Sequence, residues 1–310
     1  MKTRPTLIDA NVLRGMPLPL PREGGDKEER GRVLVVGGGR ETPGAVLLAG
    51  EAALRAGAGK LQVATGEGVA PLVAALMPEA RVFALKETKA GRLARSACDK
   101  LKGHAGRAQC VCVGPGMLED ESVVRFVEGT LGLCRDVAVV LDAGAIACLG
   151  GDGGLLHAHA GRAVVTPNAE ELADIYGEAK EKISAAPLES ARRAARDFRA
   201  VVALKGRETF VASPRGEAYV NRAGGVGLAT SGSGDVLAGL IAGLLARGAE
   251  PLQAAAWGVH LHALAGERLS ERLGLVGFLA RELLAEIPPL MSHLCSGKDS
   301  LKAEEGAAEQ

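Results

Sequence analysis

The stretch 224–243, GGVGLATSGSGDVLAGLIAG, carries seven glycines in twenty residues and ends in an apolar run. Its first half, up to Gly234, cannot form the interior of a strand or a helix, because glycine weakens both. Its second half, from Val236 on, reads as a buried helix. A glycine-rich turn that opens straight into a helix leaves backbone N–H groups free and converging on one spot. Those groups and the helix dipole attract a phosphate. Asp235 sits at the junction. An acid there is either a helix N-cap or a base held beside bound phosphate, and the rest of the chain has to decide.

The 310 residues suffice for one large α/β domain or two small ones. With 47% apolar and only 3% aromatic residues, the composition favours helices packed closely on a sheet. Thirty-seven basic residues balance thirty-seven acidic ones, so no footprint for nucleic acid or an anionic membrane is present. No apolar run approaches the ~18 residues of a membrane span, and residues 1–16 carry no secretory h-region. The six cysteines, at 98, 110, 112, 134, 148 and 295, follow no disulfide or zinc spacing, which fits a reducing cytoplasm. Cys110 and Cys112 share a face of an expected strand and read as core residues.

Residues 1–31 read as an N-terminal arm broken by Pro5, Pro17, Pro19 and Pro21. Strand and helix patterns then alternate. Strands are expected at 32–36, 60–64, 81–85, 109–113, 137–141, 163–165 and 201–204. Helices are expected at 45–56, 91–102, 121–133, 170–176 and 188–198. A hairpin follows at 209–212 and 218–221, turning at Pro214-Arg215-Gly216, and two more helices at 251–272 and 278–286. Such alternation predicts a mainly parallel sheet in one domain, 32–292, followed by a polar tail, 293–310. Polar signals gather at the C-terminal ends of the strands: GGG at 37, GPG at 114, Asp142, TPN at 166 and KG at 205. In open parallel sheets that edge binds ligands.

Several familiar chemistries are excluded. GGGRETPG at 37–44 fits GxGxxG poorly, and no acid ends the next strand. GxxxxGK[ST] and GxSxG are both absent. His157/His159 and His260/His262 lack i,i+4 spacing and a third partner, so no metal ligands are assigned. Lys205-Gly206-Arg207-Glu208-Thr209 is either a surface turn or a loop over a nucleotide.

Taken together the motifs resemble a family. GGVGLATSGSGDVLAG resembles the signature of the ribokinase-like superfamily. With GRVLVVGGGRETPGAVLLAGEAALRAGAGKLQVAT (31–65), MPEARV (77–82), VGPGM (113–117), VVLDAGAI (139–146), VVTPNAEELADI (164–175) and VALKGRET (202–209), the set is similar to the ADP/ATP-dependent NAD(P)H-hydrate dehydratases. The order matches too, over roughly residues 12–290. The resemblance implies a single-domain, three-layer α/β/α sandwich and, as activity, repair of the (6S) hydrate of NADH or NADPH with ADP or ATP as co-substrate and Mg²⁺. It implies that Asp235 is the general base, and that Gly232, Ser233 and Gly234 form an anion-binding turn. It also implies that Lys205, Gly206, Arg207, Glu208 and Thr209 line the nucleotide, and that Ala45, Gly116, Asn168 and Asp235 contact the hydrated dinucleotide. Symmetric homo-oligomers are common in the family.

Several positions depart from the family pattern, and the HKG usual ahead of the first strand is absent, with Asp26-Lys27-Glu28 near that place. TPHPGE becomes Thr166-Pro167-Asn168-Ala169-Glu170-Glu171, replacing a histidine by Asn168. LDADAL becomes LDAGAI, placing Gly144 where the family has Asp, and GPGLG becomes GPGML, placing Leu118 where it has Gly. Two other readings share the motifs: a small-alcohol kinase of the same superfamily, and a nucleotide-binding relative without catalysis.

Overall fold

The computed structural model describes residues 4–22, 24–150, 154–159 and 161–296. In chain order the elements begin with β1 (Thr6–Leu7), α1 (Ala10–Arg14), β2 (Arg32–Val36), α2 (Gly44–Arg55), β3 (Lys60–Gly66), α3 (Ala70–Leu76) and β4 (Ala80–Leu85). Then come β5 (Cys110–Val113), α4 (Glu121–Leu131), β6 (Ala138–Leu141), β7 (Ala163–Val165), α5 (Ala169–Tyr176), α6 (Lys180–Ala185) and α7 (Pro187–Phe198). The last are β8 (Val201–Leu204), β9 (Thr209–Ala212), β10 (Ala218–Asn221), α8 (Ser233–Ala246), α9 (Pro251–Leu273) and α10 (Ala280–Ser296).

The strands form one ten-stranded sheet in the order β1-β10-β9-β8-β7-β6-β5-β2-β3-β4. Only β9 runs against the others among the described residues. Strand β2 pairs with β3 on one side and with β5 on the other, so the chain reverses its direction of winding there. The loop after β2 leads to α2 on one face and the loop after β5 to α4 on the other, the arrangement that places a ligand crevice at the C-terminal edge of a sheet.

The period of two along each strand sorts the core into two layers. Val33, Val35, Cys110 and Cys112 face the layer of α1, α2, α3, α8, α9 and α10. Leu34, Val36, Val111 and Val113 face the layer of α4, α5, α6 and α7. Both cysteines are fully buried on the face that the strand pattern assigns them. Helix α8 is the innermost helix, with twelve of its fourteen residues buried. It lies against α2 with glycines at the contact: a Cβ on Gly239 would stand 2.2 Å from the Ala49 carbonyl oxygen, and one on Gly243 2.4 Å from that of Ala53.

Some elements differ from the sequence expectation. The arm is not irregular throughout. Asp9 caps α1 by accepting from Val12 N–H at 2.8 Å, and β1 adds to the sheet edge beside β10. The rest of the arm is tied down from α9 and from the end of α8: Trp257 Nε1 donates to the Met16 carbonyl at 2.7 Å, and Arg247 to that of Pro19 at 2.6 Å. The helix expected at 91–102 shrinks to a 3-10 turn, Arg95–Leu101, because Gly91 takes φ +75 and Leu93 bridges Glu87. Helix α10 runs on past Pro288 and Pro289 to Ser296, where the sequence stops it at 286. The prolines lose two backbone bonds, but Leu290 and Leu294 continue the buried face. Of the expected tail, 293–296 is therefore helical and 297–310 lies outside the described residues.

Gly239→Ala will destabilise the protein, although alanine is the better helix former by up to ~1 kcal/mol. Forcing α2 and α8 apart costs about 1–3 kcal/mol. Urea unfolding will show a lower midpoint with an unchanged slope.

Candidate active site

The crevice between β2 and β5 is held by contacts that only small residues permit. Gly38 N–H donates to the Pro115 carbonyl at 2.7 Å, and Thr42 Oγ1 donates to the Gly116 carbonyl at 2.6 Å. Gly116 takes φ +67, and a Cβ there would stand 2.6 Å from the Ala45 Cβ. The two residues expected to touch the dinucleotide, Ala45 and Gly116, are thus direct neighbours.

Helix α8 begins at the same crevice. Gly232, at φ +89, turns the chain into the helix without a side-chain cap. Ser233 N–H is taken by the Thr230 carbonyl at 3.2 Å. The N–H groups of Gly234 and Asp235 lie in the first turn, where no intrahelical acceptor exists. Ser233 is fixed from α9 by His262, whose Nε2 lies 2.9 Å from Ser233 Oγ and 3.0 Å from its carbonyl oxygen. Burial pushes His262 down to about 4, so its ring stays neutral.

Asp235 is not the N-cap; it stands in the first turn of α8. Burial first, and the Asp142 carboxylate second, raise it to about 7, while Lys205 and the Gly116 N–H draw it back. A carboxyl poised near neutrality beside a crevice suits proton transfer.

Asp142, at the end of β6, is 2% exposed, and its Oδ1 accepts from Thr166 Oγ1 at 2.6 Å and Lys205 Nζ at 3.0 Å. Lys205 also lies 3.8 Å from Glu171 Oε2. Burial would depress the lysine, but the carboxylates of Asp142 and Glu171 outweigh it and hold Lys205 above its ordinary value. Burial raises Glu171, against the pull of Lys205 and the Asn168 N–H. A Cβ on Gly234 would stand 3.6 Å from Lys205 Nζ, so the ammonium lies beside the start of α8.

A cleft of about 1120 Å³ opens from this point toward β9 and β10. Lys205, Gly206, Arg207, Glu208 and Thr209 line it together with Ser233, Gly234 and Asn168. Glu208 pairs with Arg222 at 2.7 Å across the cleft wall. Gly232 and Asp235 do not line this cleft; the Asp235 carboxyl instead accepts from Gly116 N–H, on the crevice side.

A family model for NAD(P)H-hydrate dehydratase matches residues 33–289. The chain belongs to the NAD(P)H-hydrate dehydratase family.

A relative from Xanthomonas campestris, the ADP-dependent (S)-NAD(P)H-hydrate dehydratase, is 47% identical over 302 residues, 94% of this chain and 97% of its own. The solved ADP/ATP-dependent NAD(P)H-hydrate dehydratase of Bacillus subtilis, co-crystallized with ATP/Mg²⁺, superposes with a TM-score of 0.78 at 28% identity. It spans 94% of this chain and 99% of that one. A ribokinase-like superfamily protein from Enterococcus faecalis gives a TM-score of 0.80 at 25% identity, covering 93% and 96% of the two chains. The fold is therefore the ribokinase-like α/β/α sandwich that the motifs imply.

For a member of the dehydratase family, the site also brings in groups beyond those the sequence points to. Asn168 lies on the wall of the Lys205–Thr209 cleft. Its Oδ1 caps α5, accepting from Glu170 N–H at 2.8 Å and Glu171 N–H at 2.9 Å, while Glu171 accepts back from Asn168 N–H at 2.6 Å. That reciprocal box leaves Asn168 Nδ2 without a protein partner. Asp142, Thr166, Glu171 and His262 were not singled out as site residues. The first two end β6 and follow β7, the positions that already signalled the ligand edge; His262 sits inside a helix pattern that gives no such signal.

Two outcomes follow from the raised Asp235. A carboxyl lifted above its unfolded value of 3.8 stabilises the fold below about pH 4 and loses that contribution as pH rises through about 7. Asp235→Asn will therefore gain stability over the native protein, the gain growing from pH 4 to 7 and levelling above. Thermal unfolding across that range checks it. Asp142→Asn will lower the Asp235 titration point and Lys205→Met will raise it, as read by carbon NMR of the carboxyl.

Proposed function

We propose that this chain dehydrates the (6S) hydrate of NADH or NADPH, with ADP or ATP as phosphoryl donor, yielding NAD(P)H, phosphate and AMP or ADP. The observation that carries this reading is the placement of Asp235. Its carboxyl accepts from Gly116 N–H on the crevice side and shares the first turn of α8 with Gly234, which lines the nucleotide cleft. A base in that position reaches one ligand on each side. The family relationship supports the identity of both ligands.

In the reaction, Asp235 accepts the proton of the ring hydroxyl, and the freed oxygen attacks the terminal phosphorus. The bond from that phosphorus to its bridging oxygen breaks, and AMP or ADP leaves. The amides of Gly234 and Asp235 and the Lys205 ammonium face the charge that spreads over the phosphoryl oxygens. The hydroxyl has become a phosphate ester, a far better leaving group than hydroxide. The ring nitrogen lone pair expels phosphate, and loss of a proton from the adjacent ring carbon restores the dihydronicotinamide.

Mg²⁺ takes one or two carboxylates together with phosphate oxygens, and among the described residues no group of three metal-binding side chains converges. Glu171, whose Oε1 accepts no hydrogen bond, suits such a partial protein contribution. When bound, the ion would neutralise charge on the transferred phosphoryl group. We assign the enzyme to a reducing cytoplasm: the cysteines at 98, 110, 112, 134 and 148 are buried free thiols. No described helix is long and apolar enough to cross a membrane.

Incubating hydrated NADH with ADP or ATP will restore dihydronicotinamide absorbance and release phosphate in step. No recovery with either nucleotide would sink the proposal. Asp235→Asn will lower kcat by about 10² or more while nucleotide still binds. For the native enzyme, kcat/KM will rise with pH to a plateau above about 7, where Asp235 is ionised.

A further inference from the structure

The nucleotide cleft takes up the end of the ligand edge between β7 and β10. On the reading above, the nicotinamide ring lies at Gly116, Ala45 and Asp235, in the β2–β5 crevice. The remainder of the dinucleotide then has the other end of the edge, past β2, β3 and β4. Its diphosphate brings two negative charges that this end must meet.

That end is basic. Segment 86–95, KETKAGRLAR, follows β4 and holds four cationic side chains against one acid. Lys86 and Lys89 enter no ion pair. The segment folds back on itself: Glu87 bridges Leu93, and Thr88 N–H donates to the Arg92 carbonyl at 2.7 Å. Two crossed ion pairs fasten it to the loop after β2. Arg40 Nε lies 3.3 Å from Glu87 Oε1, and Arg92 Nη1 lies 3.2 Å from Glu41 Oε1. The same loop carries Thr42 to the Gly116 carbonyl. The two arginines therefore stand on a path that starts at the ring site.

Their bonding leaves capacity to spare. Glu87 is a fixed anchor, 2% exposed, with Oε2 accepting from Gly68 N–H at 2.9 Å. Its Oε1 faces Arg40 without an aligned hydrogen bond, and the Arg40 side chain is 59% exposed. Arg92 uses Nη1 alone on Glu41, which is itself 64% exposed. Each guanidinium has five donors in a planar fork, so one edge can hold a carboxylate while the other grips phosphate oxygens. The Arg92–Glu41 pair, with its carboxylate exposed, contributes little to stability, which leaves room for a role in recognition, whereas Arg40 also serves the buried Glu87 carboxylate.

We propose that Arg40 and Arg92 form a clasp for the diphosphate of the dinucleotide, oriented by Glu87 and Glu41. The clasp rests on the dehydratase reading for its substrate, but it concerns any nicotinamide dinucleotide that enters the crevice.

The test uses Arg40→Gln, Arg92→Gln and the double variant. Binding of NADH to each is measured by its fluorescence, alongside KM for hydrated NADH and for ADP and the melting temperature. Each single change will weaken NADH binding and raise KM for the hydrate about tenfold, and the double change by more. KM for ADP will stay as in the native protein for every variant; the melting temperature will stay for Arg92→Gln, and will fall for Arg40→Gln, which unpairs the buried Glu87 carboxylate. Unaltered NADH binding in the double variant would overturn the clasp. So would parallel losses in ADP affinity and melting temperature, which mark a merely structural loop. If the native protein binds NADH through these arginines yet turns over no hydrate, the dehydratase reading fails while the clasp stands.

Discussion

The structure depends on the close, parallel contact of α2 and α8. Ala49 meets Gly239 and Ala53 meets Gly243, so the two helices advance side by side with their backbones touching. Both begin at the ligand edge, α2 at Gly44 and α8 at Ser233. Two positive helix ends therefore open on one crevice, each with first-turn N–H groups that lack intrahelical acceptors. Larger side chains at the contact would move one helix end relative to the other, and Asp235 relative to Gly116. Fold stability and site geometry are thus set by the same four small residues.

The electrostatics build on that placement. Two carboxylates, Asp142 and Asp235, and one lysine occupy a nearly dry space. Asp142 is bonded to both Thr166 and Lys205, so its position is fixed from two sides. Asp235 has only the Gly116 N–H and a more distant lysine, and it absorbs the repulsion as a raised titration point. Unequal support of this kind lets one acid work as a base near neutrality while its neighbour holds a lysine in place. The lysine in turn stands where nucleotide phosphates would approach the start of α8.

Much of this was legible in the sequence, for reasons that can be named. The strands β2, β7, β8, β9 and β10 and helix α8 announce themselves by dense apolar runs bounded by glycine, proline or charge. The polar residues at strand ends marked the ligand edge because a parallel sheet puts every such end on one side. What stayed hidden depends on tertiary contact. The arm looks irregular because its short strand is held by β10, Met16 by Trp257 and Pro19 by Arg247, partners more than two hundred residues away. Helix α10 passes through a Pro-Pro pair because the core on its buried side outweighs two lost hydrogen bonds. His262 is invisible in sequence because a buried histidine on an apolar helix carries no pattern, only a partner.

The departures from the family pattern also acquire a physical logic. A Cβ on Gly144 would stand 2.6 Å from the Met117 carbonyl oxygen and 3.0 Å from the Leu118 carbonyl carbon. The two changes, Asp to Gly at 144 and Gly to Leu at 118, therefore face each other across one contact. The backbone at 117–118 lies so close to the turn after β6 that only glycine at 144 leaves it room. Asn168 follows a similar logic. Asparagine is among the best N-caps, and here its side chain completes a box with Glu171 that fixes α5 against Lys205. The Asn168 side chain thereby orders the carboxylate that stands 3.8 Å from Lys205, on the wall of the cleft that Asn168 lines.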